Sequence, residues 1–293
     1  MAYTGTGTQS DPYLVSTLAD LRTCARIPGK YVKVISDIDA SLEEDDESRL
    51  TIGCELLYAD EMQTISNIIV ASDIFVCKNT NGTTVVRNLN FKDAIFRPTA
   101  PAGSNWNVLF YLSLDSAYTL TFYNCRFSIQ GNRSDMVLIF SSAARGNIRF
   151  LWCSLFIDFE HSGVTASTVY PLFRNVDNGY LEVSNSVLSM KGVDGSPANT
   201  SSLDMDAIFR YCTVKISLYC YNQHDSSKIF NQDSYNNILI IDSNLSFRCN
   251  VYGLTAVDAE NSTNCTFSGS GCYSLTEAQI KSEEYLKSIN FIP

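Results

Sequence analysis

A ten-residue motif recurs along the chain, and it constrains the fold more than any other feature of the sequence. It reads apolar-x-apolar-x-Asn-small-x-apolar-x-apolar. Its small position falls at residues 89, 125, 153, 186, 212, 243 and 265, at intervals of 22 to 36 residues. A repeat of this length is typical of a solenoid. The clearest copies are Leu120–Ile129, Ile148–Ile157, Leu181–Met190 and Ile238–Phe247.

Each copy predicts two strands joined by a corner. The apolar residues alternate, as a strand with one buried face requires. The alternation changes phase at the Asn-small pair, which indicates that the chain turns there. A corner residue often needs a left-handed backbone, which Asn tolerates better than most residues. The predicted corner residues of this kind are Asn88, Asn124, Asn185, Asp242 and Asn264.

The small residue after the corner predicts a stack of small side chains inside the molecule. Equivalent positions on neighbouring repeats lie ~4.8 Å apart. Since cysteine packs as a small apolar residue, we expect core thiols here, with disulfides or a metal site as the alternatives. The ten cysteines contain no Cys-x-x-Cys, so we expect no metal and no cofactor. The predicted stack consists of Cys125, Cys153, Ser186, Cys212, Ser243 and Cys265.

A second, aromatic signal precedes several copies, so each repeat is expected to carry a further strand. An aliphatic-Phe pair ends at Phe110, Phe140, Phe173 and Phe230. The pair that ends at Phe209 fits either the aromatic signal or the corner motif, which leaves the register near 199–225 open. We predict an all-β fold, a right-handed parallel β-helix with short N-terminal and C-terminal capping helices. A β-sandwich would not require the motif to return at the same phase.

Both ends of the chain predict capping segments. Thr17 with Asp20 forms an N-cap arrangement for a helix over roughly 18–26. Thr276 and Gln279 have the spacing of a capping box near the other end. The predicted organisation is an N-terminal entry segment and capping helix over 1–40, parallel β-helix repeats over 41–272, and a C-terminal capping helix and tail over 273–293.

The ends also resemble a known family. The segment Gly5–Thr17, with its Asp11-Pro12-Tyr13 sequence, and the strand Tyr31–Asp39 are similar to the entry of GLUG-type β-helical domains. Leu275–Lys281 is similar to the tail that closes such domains. These domains occur in bacterial surface proteins and in virion proteins of phages that infect gut bacteria. The Gly-Leu-x-Gly repeat that names the family is missing, and the resemblance covers about a quarter of the chain.

Composition restricts the partners. The net charge of −10 opposes binding to nucleic-acid backbones and anionic membranes. No apolar run reaches the ~18 residues of a membrane-spanning helix. The first residues have neither the basic nor the apolar region of a secretory signal, so we expect synthesis in the host cytoplasm, and the resemblance to phage virion proteins implies a final place in a virion.

The sequence offers weak candidates for chemistry and binding. Asp204 and Asp206 lie two residues apart, so on one strand they would share a face and could form the carboxylate pair of a polysaccharide hydrolase. The alternative is an ordinary solvated loop. Aromatic side chains that could stack on sugar rings, or instead lie buried or in subunit contacts, are Trp106, Tyr170, Tyr219, Tyr221 and Tyr235.

These observations favour a non-enzymatic structural and recognition protein of a phage virion, such as a tail spike, a fibre or a head or tail decoration protein. The expected partners are other virion proteins, further copies of the same chain and host-surface polysaccharide. Resemblance to phage spikes implies a homo-oligomer, with a trimer as the expected form. The alternatives are a polysaccharide depolymerase built on a β-helix and a bacterial surface adhesin.

Overall fold

Strands dominate the structure, which is a computed structural model. It describes residues 3–42, 50–70, 75–77, 82–96, 107–112, 118–132, 137–142, 146–160, 173–175, 180–194, 201–204, 206–219, 228–230, 238–241, 244–249 and 265–268. Within these ranges there is one α-helix, and no helix has the length and hydrophobicity needed to span a membrane.

The N-terminal helix forms where the sequence predicts it. Thr17 is the N-cap, and its Oγ1 accepts a hydrogen bond from the Asp20 N–H at 3.2 Å. The helix ends at Ala25, whose carbonyl oxygen accepts hydrogen bonds from the N–H groups of Gly53 and Cys54 at 2.8 and 2.9 Å. The first elements are β1 (Tyr13–Val15), α1 (Leu18–Ala25), β2 (Tyr31–Val34), β3 (Ile38–Asp39), a 3₁₀ turn (Ala40–Leu42) and β4 (Thr51–Ile52).

The strands form two sheets. The further strands are β5 (Leu56–Ser66), β6 (Ile69–Val70), β7 (Phe75–Cys77), β8 (Thr83–Phe96), β9 (Asn107–Leu112), β10 (Tyr118–Tyr123), β11 (Arg126–Asn132), β12 (Val137–Ser142), β13 (Gly146–Leu151), β14 (Ser154–Glu160), β15 (Phe173–Asn175), β16 (Tyr180–Ser184), β17 (Val187–Asp194), β18 (Ser201–Asp204), β19 (Asp206–Arg210), β20 (Thr213–Tyr219), β21 (Lys228–Phe230), β22 (Ile238–Ile241), β23 (Asn244–Cys249) and β24 (Cys265–Ser268). Strands β4, β7, β9, β12, β15, β18 and β21 make a seven-stranded sheet, and the others make a 17-stranded sheet.

All pairings between these strands are parallel, which confirms the predicted all-β character and the strand direction. The repeats are in register. One inward row, two residues before each corner, consists of Val86, Phe122, Phe150, Val183 and Phe209, and Ile240 continues the register of this row.

The register settles the ambiguous pair at Phe209. This residue pairs with Val183 and Ile240, so it belongs to the strand before a corner. In the seven-stranded sheet Leu203 lies between Phe173 and Phe230 and takes the place that the aromatic signal has elsewhere. Phe110, Phe140 and Phe173 are neighbours in that sheet, as the aromatic signal predicts.

Aromatic rings fill part of the core. The rings of Phe122 and Phe150 stack at 5.3 Å between centroids, and those of Phe91 and Phe127 stack at 5.1 Å. Phe122 and Phe127 meet edge to face at 5.0 Å, which joins the two stacks. Each fully buried ring stabilises the fold by roughly 2–3 kcal/mol through removal of apolar surface from water.

One predicted member of the small stack lies elsewhere. Cys265 begins β24 and pairs with Ile238, which precedes Ser243 by five residues. The assignment of Cys265 to the position equivalent to Ser243 is therefore wrong. Phe267 of the same strand pairs with Ile240, which precedes a predicted corner. The segment Cys265–Phe267, which the sequence analysis placed after a corner, therefore belongs to a strand of the type that precedes one. Asp242, Ser243 and Asn264 lie outside the described residues.

Candidate functional site, an exposed aromatic corner

The corner residues form a row with left-handed backbone. Their φ angles are 58° at Asn88, 49° at Asn124, 59° at Trp152, 50° at Asn185 and 48° at Tyr211. Strands on both sides of the corner pair in register, so the five residues lie one above another at about 4.8 Å per repeat. The sequence predicted a left-handed corner at the three Asn positions.

Asn side chains suit this corner because they also bond along the row. The Nδ2 of Asn124 donates to the Oδ1 of Asn88 at 2.9 Å, and the Nδ2 of Asn88 donates to the Ala59 carbonyl at 2.8 Å. The backbone adds one hydrogen bond per repeat. The N–H of Asn124 donates to the Leu151 carbonyl at 2.9 Å, and the N–H of Trp152 donates to the Ser184 carbonyl at 3.0 Å. An Asn corner is therefore both conformationally tolerated and hydrogen-bonded.

The small residue after the corner completes hydrogen bonding inside the turn. Cys125, Cys153 and Ser186 each place Sγ or Oγ at 3.1–3.4 Å from the carbonyl oxygen two residues before the previous corner. Cys212 is buried at the next position. Burial, and then the hydrogen bond with Cys153, raise the pKa of the Cys125 thiol well above its ordinary value. Cys125 and Cys153 are free thiols in the core.

Two corners carry bulky aromatic residues in place of Asn. Trp152 and Tyr211 are each 59% exposed, and both have positive φ. A bulky residue in this conformation costs on the order of 1–3 kcal/mol, and such strain concentrates at functional positions. Neither ring is in the core, so packing does not account for the two residues. With Asn185 between them, they lie two repeats apart, about 10 Å along the row.

Further exposed apolar side chains surround these two corners. Six large apolar residues are exposed in the described part of the chain, and all but Ile35 lie at a corner or on a strand that borders one. Tyr123 directly precedes a corner, while Phe156 and Val187 lie on strands that follow one. We call this surface the corner strip, and it consists of Tyr123, Trp152, Phe156, Val187 and Tyr211.

Polar groups alternate with the rings, and two arginines lie beside them. The amides of Asn124 and Asn185 are exposed within the row. Arg126 is exposed two residues after a corner, and Arg210 directly precedes Tyr211. Among the described residues neither arginine has an acidic partner within ion-pair distance. The corner strip is thus an aromatic surface with amides and positive charge beside it.

The carboxylate of Glu182, on the strand that precedes the Asn185 corner, is already paired. Glu182 is 7% exposed, and its Oε2 lies 2.7 Å from the Nε of Arg149 on the neighbouring strand. The hydroxyl of Ser184 donates to its Oε1 at 2.9 Å. This carboxylate therefore serves the fold and adds little negative charge to the strip.

The carboxylate pair predicted for hydrolysis is not assembled as expected. Asp204 ends β18 in the seven-stranded sheet and pairs with Arg174, whereas Asp206 begins β19 in the 17-stranded sheet and pairs with Tyr180. The prediction that the two aspartates share one strand face is wrong, because the chain passes from one sheet to the other between them.

The aromatic residues singled out in the sequence lie away from the corner strip or outside the described residues. Tyr219 ends β20, in register with Asp194. No group of three or more His, Cys, Asp or Glu residues that could hold a metal ion is found in the described ranges. The candidates outside those ranges are Trp106, Tyr170, Tyr221 and Tyr235.

Comparison of the chain with protein-family models, with curated proteins and with solved structures gives no match.

Proposed function

We propose that the chain is a right-handed parallel β-helix that serves as a structural and recognition protein of a phage virion, as a tail spike, fibre or head or tail decoration protein. The observation that carries the recognition part is the corner strip, which places strained, exposed rings on a regular wall of parallel strands. Its partners in this proposal are further virion proteins, copies of itself and polysaccharide on the host surface.

The order of the strands supports the β-helix. The chain leaves the 17-stranded sheet after β8, adds β9 to the seven-stranded sheet, and returns to the first sheet with β10. The same alternation recurs with β12, β15, β18 and β21. Parallel strands require crossover connections, and such crossovers are right-handed in nearly all proteins. A stack of this kind gives each repeat a neighbour that covers its apolar edge.

Exposed rings on a rigid side wall support recognition. Aromatic side chains with one face free stack on sugar rings and on protein partners, and they lose little conformational entropy when they do. Equivalent positions recur along the wall, so a polymeric ligand can contact several repeats at once. Such multivalent contact raises avidity without requiring a deep pocket.

Imaging with mass measurement tests the architecture, and a cell-binding assay tests the function. We expect purified protein to form rods of defined oligomeric mass, to occur in purified phage particles as detected by mass spectrometry of virions, and to bind intact host cells without shortening their surface polysaccharide. A monomer that depolymerises capsular polysaccharide would contradict the proposal and would favour the depolymerase.

A further inference from the structure

We propose that the corner strip is a binding site for an anionic polysaccharide, in which Trp152 and Tyr211 stack on sugar rings and Arg126 and Arg210 pair with the carboxylates of the glycan. This inference rests on the proposed recognition function and names the ligand class and the residues that bind it.

The two strained rings define the axis of the site. Trp152 and Tyr211 occupy positions where Asn would be less strained and would extend the hydrogen-bonded row, and both rings face solvent. They lie about 10 Å apart along the stacking direction, two repeats away from each other. This separation suits rings that stack on alternate units of an extended sugar chain running along the wall.

The corner-row residue between the two rings is polar, which favours a glycan over a protein partner. The exposed amide side chain of Asn185 lies between Trp152 and Tyr211 in the row, and the half-buried Ser154 follows Trp152 by two residues. The core of a protein-protein interface is depleted of charged groups and is packed with continuous apolar surface. A polysaccharide instead presents apolar ring faces and hydroxyl groups in alternation, and these match rings that alternate with amides.

The charges favour an anionic glycan. The whole chain carries a net charge of −10, which repels polyanions within a Debye length of about 8–10 Å. Arg126 and Arg210 are nevertheless placed beside the strip without acidic partners among the described residues, whereas Glu182 is paired with Arg149. A guanidinium binds a carboxylate through two parallel hydrogen bonds, so the two arginines offer specific sites for uronic acid groups.

Affinity electrophoresis tests this inference with polygalacturonate and alginate as polyuronate probes and with dextran as the neutral probe. We expect the wild-type protein to be retarded by at least one polyuronate and not by dextran. Trp152→Asn and Tyr211→Asn should each weaken the retardation at least ~10-fold, since each variant removes one of the two rings that stack on the sugar chain. Ile35→Asn removes an exposed apolar side chain outside the strip and should change nothing.

The arginine variants test the charge part separately. Arg126→Gln and Arg210→Gln should weaken binding and make it less sensitive to added NaCl, because fewer ion pairs are screened. Circular dichroism and thermal unfolding of each variant show that a lost interaction is not lost folding. The Asn variants are well suited to this comparison, since neighbouring corners already carry Asn.

Three results would overturn the inference: Trp152→Asn binding a polyuronate as tightly as wild type, wild type binding dextran at least as well as polyuronates, and retardation by none of the three polysaccharides. Binding to intact cells separates this inference from the proposed function. If the variants bind cells as wild type does, the corner strip is not the binding site, but the proposed recognition function is not contradicted. If the wild-type protein binds no cells, the proposed function itself is contradicted.

Discussion

The Oγ atom of Ser186 accepts a hydrogen bond from the backbone N–H of Cys153 at 2.8 Å, so that one hydroxyl joins two neighbouring repeats. The same hydroxyl lies 2.7 Å from the Ser184 carbonyl, to which it donates. We expect Ser186→Ala to leave a buried N–H without a partner and to lower the free energy of unfolding by about 1–3 kcal/mol in urea titrations. Ser189→Ala, on a half-buried residue of the next strand, should cost less than about 0.5 kcal/mol. Equal losses would contradict a role for the small stack.

Trp152→Asn should stabilise the protein. The substitution replaces an exposed, bulky residue at φ 59° with one that tolerates the left-handed region, and we expect the free energy of unfolding to rise by about 1 kcal/mol. Asn124→Ala should have the opposite effect at the neighbouring corner, because it removes both that tolerance and the hydrogen bond to Asn88. Thermal unfolding of the two variants beside wild type measures both shifts, and a destabilised Trp152→Asn would show that the ring contributes to folding.

Arg149→Ala should be strongly destabilising. It leaves the buried Glu182 carboxylate without its cation, which typically costs about 3–5 kcal/mol. Lys92→Ala is the matched control, because the side chains of Lys92 and Asp93 are 60% and 53% exposed and their charged atoms are 3.9 Å apart. A pair of this kind contributes less than about 1 kcal/mol. Denaturant unfolding at neutral pH distinguishes the two cases, and a loss below 1 kcal/mol for Arg149→Ala would contradict the buried-pair interpretation.

Stability should fall between pH 9 and pH 11, in part through Cys24. Burial, and then the Asp20 carboxylate, raise the pKa of this thiol from 9.0 to about 11. Below pH 9 the thiol is protonated in both the folded and the unfolded chain, so its contribution is complete. Between the two values the unfolded chain loses the proton while the folded chain keeps it, so the free energy of unfolding decreases as pH rises. Cys24→Ala should show a shallower decrease in unfolding measurements across this range, and an unchanged slope would rule out the contribution.

The thiol of Cys125 should resist alkylation in the folded protein. It is fully buried, and its pKa is raised well above the ordinary value by burial and by the hydrogen bond with Cys153. Because the thiolate is the reactive species, iodoacetamide at pH 8 should leave Cys125 unmodified for as long as the protein stays folded. Peptide mass spectrometry after treatment with and without urea measures this, and rapid modification without urea would show that the repeat opens readily.

The repeat architecture could be read from the sequence because the corner chemistry is local. Asn at positive φ and a small residue beside it recur for backbone reasons that any single copy displays, as at Asn124 and Cys125. The last assignment failed at Cys265 because Asn264-Cys265 imitates the motif while the pairing of Phe267 with Ile240 decides the register. Strand register depends on two segments that are far apart in sequence, so the sequence of one segment alone does not determine it.

The candidate site could have been predicted from the corners that lack the usual Asn or Asp. Asn or Asp was expected at five of seven corners, and the two that differ, Trp152 and Tyr211, are the exposed rings. The Arg149–Glu182 pair could also have been predicted. The two residues are 33 apart in sequence, which equals the interval between the small positions 153 and 186, so they lie at equivalent positions of neighbouring repeats. The separation of Asp204 from Asp206 was not, because nothing in that short segment marks the passage between sheets.

The strand pairing described above also bears on folding kinetics. Each strand of the 17-stranded sheet pairs with strands 19–36 residues away in sequence, from the first repeats to the last. The loop that must close to form a contact is therefore of similar length everywhere and does not grow with the chain. Growth can begin at any well-packed repeat, such as the one that holds Phe122 and Phe150, and spread in both directions. A longer version of this molecule would add docking steps and leave the entropy of each step unchanged.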